Sequence, residues 1–121
     1  MLKKRIESFG YAFKGIATLF RTQINARIHL IVLMGVIPAG FFFKINTTEW
    51  CFIALASGAV WAAEAMNTAI EFVVDLVSPQ YNELAGKAKD VAAAGVLLTV
   101  FGAVLAGLII FLPKILEFLN V

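Results

Sequence analysis

In 121 residues, 61% hydrophobic and 15% charged side chains with a mean hydropathy of +0.90 exclude an ordinary soluble domain. The length allows one compact unit and no second domain, and a formal charge of +2 is too small to point to nucleic acid. The single Cys51 rules out an intrachain disulfide framework, and charges and glycines interrupt the N-terminal region before any cleavable apolar run, so the N-terminus is expected to be retained.

Residues 2–25 read as an amphipathic helix, with Ile6, Phe9, Phe13, Ile16, Phe20 and Ile24 on one stripe and Lys3, Lys4, Arg5, Lys14 and Arg21 largely off it. Such a helix lies in a membrane interface with its cations near anionic headgroups, or packs on its own bundle; both arrangements are compatible. A first span follows over 28–43, only about 24 Å long, with Pro38 placed to kink it. A turn from Lys44 leads to Asn46 and Glu49, spaced as a capping box for the next helix.

The second span, 50–77, carries the most informative feature of the chain. Glu64, Asn67, Glu71 and Asp75 recur at intervals of three and four, so at about 100° per residue they share one face. An ionisable group inside a membrane segment costs roughly 2.5–3.5 kcal/mol on insertion scales, so three acids on one face demand a cation, a proton or a polar partner. Ser78-Pro79 stops this helix, a polar connection runs from Gln80 to Asp90, and the third span covers 91–112, ended by Pro113. Its Gly102, Ala103, Ala106 and Gly107 suit close helix packing.

Eight of the ten cations lie before the first span or in the second connection, and only Lys44 and Lys114 lie on the other side. That asymmetry predicts a cytoplasmic N-terminus and a cytoplasmic 78–90 connection. Between Trp50 and Ala63 no charge occurs, which sets Glu64 about 21 Å from the outer surface, with Glu71 about 10 Å nearer the cytoplasm. The acidic stripe therefore begins within the membrane and opens inward.

Carboxylate and amide oxygens suit Mg²⁺, which binds proteins through one or two carboxylates plus substrate phosphates. Glu71 and Asp75 fit that role, with Lys89 and Asp90 nearby in the connection. Glu64 lies deeper, where a carboxylate is poised for general-base work, and Asn67 is placed to orient it. Two other classes compete: a proton-coupled transporter, and a non-catalytic assembly subunit whose acids pair with a neighbouring helix. No Walker A pattern, dinucleotide loop or Cys/His metal spacing is present, so spacing alone does not reveal nucleotide use.

The segment Glu64-Ala-Met-Asn-Thr-Ala-Ile-Glu-Phe-Val-Val-Asp75 resembles the signature of the prokaryotic diacylglycerol kinase family, which includes the undecaprenol kinases. Ala88-Lys89-Asp90 with Ala92-Ala93 resembles its second motif, and Gly10-Tyr-Ala-Phe-Lys-Gly15 its N-terminal helix, so the similarity covers about residues 6–112. The resemblance implies an all-α integral membrane protein of the bacterial inner membrane, with an interfacial helix and three transmembrane helices per subunit. It also implies a homotrimer with shared active sites, moving the γ-phosphate of ATP to a membrane lipid alcohol with Mg²⁺.

By position, the resemblance makes Glu64 the general base, Asn67 its neighbour in the site, Glu71 a metal and nucleotide ligand, and Asp75 a supporting acid. Lys4, Tyr11, Gln80, Tyr81, Asn82, Lys89 and Asp90 fall where the family contacts ATP. Asn25, His29 and Trp50 fall where lipid would bind. A metal carboxylate usual on the family's N-terminal helix is replaced here by Gln23, which implies weaker Mg²⁺ binding. Asn25-Ala-Arg-Ile-His29 and Ile110-Phe-Leu-Pro-Lys114 look more like the undecaprenol kinase branch, which favours a polyprenol over diacylglycerol as acceptor.

Overall fold

The computed structural model describes all residues, 1–121, as four helices in chain order: α1 (Leu2–Thr22), α2 (Ile24–Phe42), α3 (Thr47–Val77) and α4 (Glu83–Phe118). Only α2, α3 and α4 are long and apolar enough to cross a membrane. Just 10 of 121 residues are buried, and the exposed ones include most of the large apolar side chains. Water would not tolerate that surface, so the fold belongs in lipid.

Within α1 the stripe residues Ile6, Phe9 and Phe13 stay exposed, and burial begins only at Leu19. The amphipathic face is therefore not covered by the helix's own bundle, which favours the interfacial placement. α1 ends three residues earlier than its periodicity indicates, because Gln23 is extended (φ −108°, ψ 113°) and interrupts the helix for one residue. Thr18 and Thr22 hydroxyls donate to the carbonyls of Lys14 and Thr18, competing with the helical ladder ahead of the break. Arg27 then folds back and donates to Phe20 O (2.7 Å) and Arg21 O (2.5 Å), satisfying carbonyls orphaned in the last turn of α1.

Starting α2 at Ile24 lengthens the first span to 19 residues, about 28 Å, so it reaches across a hydrocarbon core. Pro38 sits inside α2 and the helix continues past it to Phe42. The turn that follows is a Schellman motif: Ile45 N–H donates to Gly40 O, Lys44 N–H to Phe41 O, and Lys44 takes φ 52°. Close approach makes Gly40 necessary there, since a Cβ would lie 2.5 Å from Trp50 Cη2.

The expected capping box opens α3: Asn46 Oδ1 accepts from Glu49 N–H, and Glu49 accepts from Asn46 N–H. Glu49 also receives Lys114 at 3.0 Å, tying α3 to α4 ahead of the apolar run that starts at Trp50. The Asn46 backbone hydrogen bond, then Lys114, holds the Glu49 carboxyl below its ordinary range. Nearby, Ile45, Ile53 and Ile110 form the buried cluster, with Phe43, Trp50 and Phe111 packed against it.

The expectation that Pro113 ends the third helix needs correction. α4 runs through Pro113 to Phe118, held there by the Lys114–Glu49 pair and by Phe118 stacking edgewise on Phe42 (5.6 Å) and Phe43 (6.2 Å). It also starts at Glu83, so only five residues separate it from α3, and Asn82 Oδ1 caps it by accepting from Ala85 N–H. The glycines at 102 and 107 do not mediate close packing within the chain, because a Cβ at either would meet open space.

Candidate active site

At the end of the bundle away from the α2–α3 turn, α1 and α2 bend together at Gln23 and pack across α3. Trp61 fastens this elbow: its indole Nε1 donates to Ala26 O at 3.2 Å, and its ring meets Phe20 edge-on at 5.8 Å. One helical turn along α3 from Trp61 lies Glu64.

The stripe on α3 is graded by burial. Glu64 is 1% exposed, Asn67 and Glu71 are half-buried, and Asp75 is exposed. Glu64 Oε1 has no hydrogen-bond partner, and His29 Nε2 of α2 stands 3.5 Å away without forming one. A buried carboxylate oxygen left open in this way is costly as pure structure and free to accept a proton from an incoming group. Thr68 Oγ1 donates to the backbone carbonyl of Glu64, so it leaves the carboxylate alone.

Next along the stripe, Asn67 Nδ2 donates to Glu71 Oε1 at 3.1 Å, and Asn67 Oδ1 is buried without a partner. A carboxylate and a free amide oxygen thus sit side by side. No group of three His, Cys, Asp or Glu side chains gathers here. That set fits a Mg²⁺ ion, which needs few protein ligands when phosphates supply the rest. Gln23 stands at the elbow, its Nε2 donating to Thr22 Oγ1 at 3.2 Å, and it makes no hydrogen bond to Glu71. Its Oε1 remains a free acceptor.

Lys89 of α4 reaches across to Asp75, which gives that acid a partner. Asp90 and the Gln80–Asn82 turn are exposed, Tyr81 at 95%. Asn82 spends its carbonyl oxygen on the α4 cap, a use the sequence pattern did not reveal. On α1, Lys4 is exposed and Tyr11 lies under Lys14 at 5.6 Å.

Two of the three residues matched to the lipid lie near the elbow: His29 contacts Glu64, and exposed Asn25 lies one turn before it. The third is not brought to Glu64. Trp50 stacks on Phe41 at 5.0 Å beside the α2–α3 turn, about 21 Å along α3 from the carboxylate. Between α2, α3 and α4 runs an apolar groove of about 360 Å³, with His29 and Trp61 at one end and Phe111 at the other. Sequence reasoning missed Trp61 entirely. Its signal was only an aromatic three residues before the first buried acid.

A carboxylate with an unpartnered buried oxygen, beside a histidine that lines an apolar groove, is compatible with chemistry on a lipid. The model of the family described as prokaryotic diacylglycerol kinase matches residues 10–111, and the chain belongs to that family. It is similar to the undecaprenol kinase of Bacillus subtilis (strain 168), at 37% identity over 94% of this chain and 93% of that protein. It is also similar to a diacylglycerol kinase of Synechocystis, at 42% identity over 91% of this chain but 63% of that longer protein. With the diacylglycerol kinase of Escherichia coli (strain K12) it shares 27% identity over 83% of this chain. The protein is therefore a multi-pass membrane lipid kinase with ATP as co-substrate, which sets aside the transporter and assembly-subunit readings.

Proposed function

We propose that the chain phosphorylates a polyprenol, with undecaprenol as the acceptor and Glu64 as the general base. The observation that carries this is the unpartnered Oε1 of buried Glu64, 3.5 Å from His29, which lines the apolar groove. Glu64 takes the proton of the acceptor hydroxyl. The oxygen bonds to the γ-phosphorus as the bond to the β–γ bridging oxygen breaks, ADP leaves, and Glu64 releases its proton to water.

Glu71, the Asn67 amide oxygen and Gln23 would hold Mg²⁺, which supplies charge neutralisation on the phosphates. Lys4, Tyr11, Gln80, Tyr81, Asn82, Lys89 and Asp90 contact the nucleotide in this reading, and Lys89 shifts from Asp75 towards phosphate when ATP arrives. A homotrimer with active sites shared between subunits covers apolar surface left open by one chain. The chain forms a single kinase domain in the bacterial inner membrane, with its N-terminus and 78–90 segment in the cytoplasm, a placement that the cation asymmetry supports.

Similarity to an undecaprenol kinase along nearly the full length of both chains supports the polyprenol. The similarity to the Synechocystis protein makes diacylglycerol the competing acceptor. Phosphate transfer from labelled ATP in mixed micelles, with undecaprenol and dioleoylglycerol offered separately, decides between them. Labelled undecaprenyl phosphate at the higher kcat/KM supports the proposal, and preferential labelling of dioleoylglycerol replaces it.

A further inference from the structure

Trp61 serves two apolar grooves at once. One, about 360 Å³, lies on the α4 side of the α2–α3 seam and is walled by Val32, Val36, Val100 and Val104. The other, also about 360 Å³, lies along the seam between α2 and α3, walled by Ile37, Trp50 and Ala54. Leu33, Ile53, Ser57 and Trp61 line both and so form the partition between them. On α3, Ile53 and Ser57 are about 16 Å and 10 Å from Glu64 along the helix, whereas Trp61 is about 4.5 Å away. At the head of the grooves, beside the buried carboxylate, the partition is therefore the indole.

The ring is also fixed in place. Its N–H is committed to Ala26 O and its edge to Phe20, so the two free ends of the indole are tied to α2 and α1. Because α2 and α3 run antiparallel, the Trp61–Ala26 and Glu64–His29 contacts cross: the residue of each pair nearer the turn meets the one farther from it. The indole thus stands at the depth of the carboxylate. His29 lines the α4-side groove and not the other, so a chain leaving the site beside His29 enters that groove alone.

We propose that Trp61 is a specificity-determining residue for the lipid acceptor, dividing the two grooves at their head and admitting one chain. The inference rests on the acceptor reading given above and names the residue behind its selectivity. A polyprenol ends in a hydroxyl on a single chain and threads one groove. Diacylglycerol carries two chains on adjacent carbons and needs the two grooves joined at the head. Trp61→Ala joins them, whereas Trp61→Phe keeps a wall and loses only the N–H donor.

The test measures kcat/KM for undecaprenol and for dioleoylglycerol in wild type, Trp61→Phe and Trp61→Ala. Trp61→Ala is expected to raise the dioleoylglycerol-to-undecaprenol ratio by about tenfold or more, through the lipid KM and not the ATP KM. Trp61→Phe should keep the wild-type ratio. An unchanged ratio in Trp61→Ala, or an equal loss of kcat on both lipids, overturns the proposal. A second measurement needs neither turnover nor a truncated residue: ¹⁹F NMR of 5-fluorotryptophan-labelled wild type without ATP, assigned with Trp61→Phe. Undecaprenol should move the Trp61 resonance and dioleoylglycerol should not. Equal responses to both lipids, or none to undecaprenol, overturn the role of Trp61 even if the kinase reading stands. Absence of phosphorylation with a selective Trp61 response overturns the kinase reading and leaves the groove assignment intact.

Discussion

His29 Nε2 stands 3.5 Å from Glu64 Oε1, the one ionisable side chain within reach of a carboxylate that is 1% exposed. The pair joins α2 to α3 where the polar stripe meets the apolar groove. The imidazole is close to the carboxylate without hydrogen-bonding to it, so Oε1 has no hydrogen-bond partner.

Glu64→Gln keeps volume and polarity while removing the proton acceptor. Phosphate transfer should fall by at least about 100-fold, with helical content and oligomer size unchanged by circular dichroism and light scattering. Ordinary turnover in this variant would remove Glu64 from the base role.

Gln23 brings a neutral amide, not a carboxylate, to the metal site proposed above. Gln23→Glu should lower the Mg²⁺ concentration needed for half-maximal activity, measured by titrating Mg²⁺ at fixed ATP. An unchanged requirement would separate Gln23 from the metal.

Gly40 lies under Trp50, and an added Cβ would come 2.5 Å from Cη2 and 2.7 Å from Cζ2 of the ring. Gly40→Ala should destabilise the chain by about 1–3 kcal/mol through overpacking, read from thermal unfolding in detergent. Gly102→Ala, which meets open space, is the matched control and should cost far less.

Lys44 occupies the left-handed position of the Schellman turn at φ 52°, where a side chain is strained. Lys44→Gly should therefore raise stability by a few tenths to about 1 kcal/mol. A lower melting temperature would show that the Lys44 side chain contributes more than its backbone costs.

Glu49 has a folded-state pKa below its ordinary value of 4.5, so it favours the folded state above that pH. The contribution is lost as pH falls below 4.5 through the depressed value. Wild type and Glu49→Gln should therefore converge in melting temperature over that acid range and differ most above it. Parallel curves across the range would show that the Asn46 and Lys114 contacts do not act on this carboxyl.

The helical periodicity of an apolar chain is a local property, so three spans, an amphipathic first helix and the Asn46–Glu49 cap were all legible from residue spacing. So was the stripe of Glu64, Asn67, Glu71 and Asp75, because residues three and four apart share a face whatever surrounds them. Pro113 misled, since its cost to α4 is offset by Lys114 binding Glu49 and by Phe118 stacking on Phe42 and Phe43. Residues 42–49 and 114–118 are far apart in the chain, and no local rule anticipates their meeting.

Residue order and helical spacing set which residues carry charge into the membrane and on which helical face. What those residues meet depends on how the helices pack. The bend at Gln23, secured by Arg27, brings α2 against α3, and this sets His29 beside Glu64 and the Trp61 indole between two grooves. Each of those contacts joins groups 35 positions apart along the chain, as His29 to Glu64 and Ala26 to Trp61 both are, so they exist only once the helices have packed.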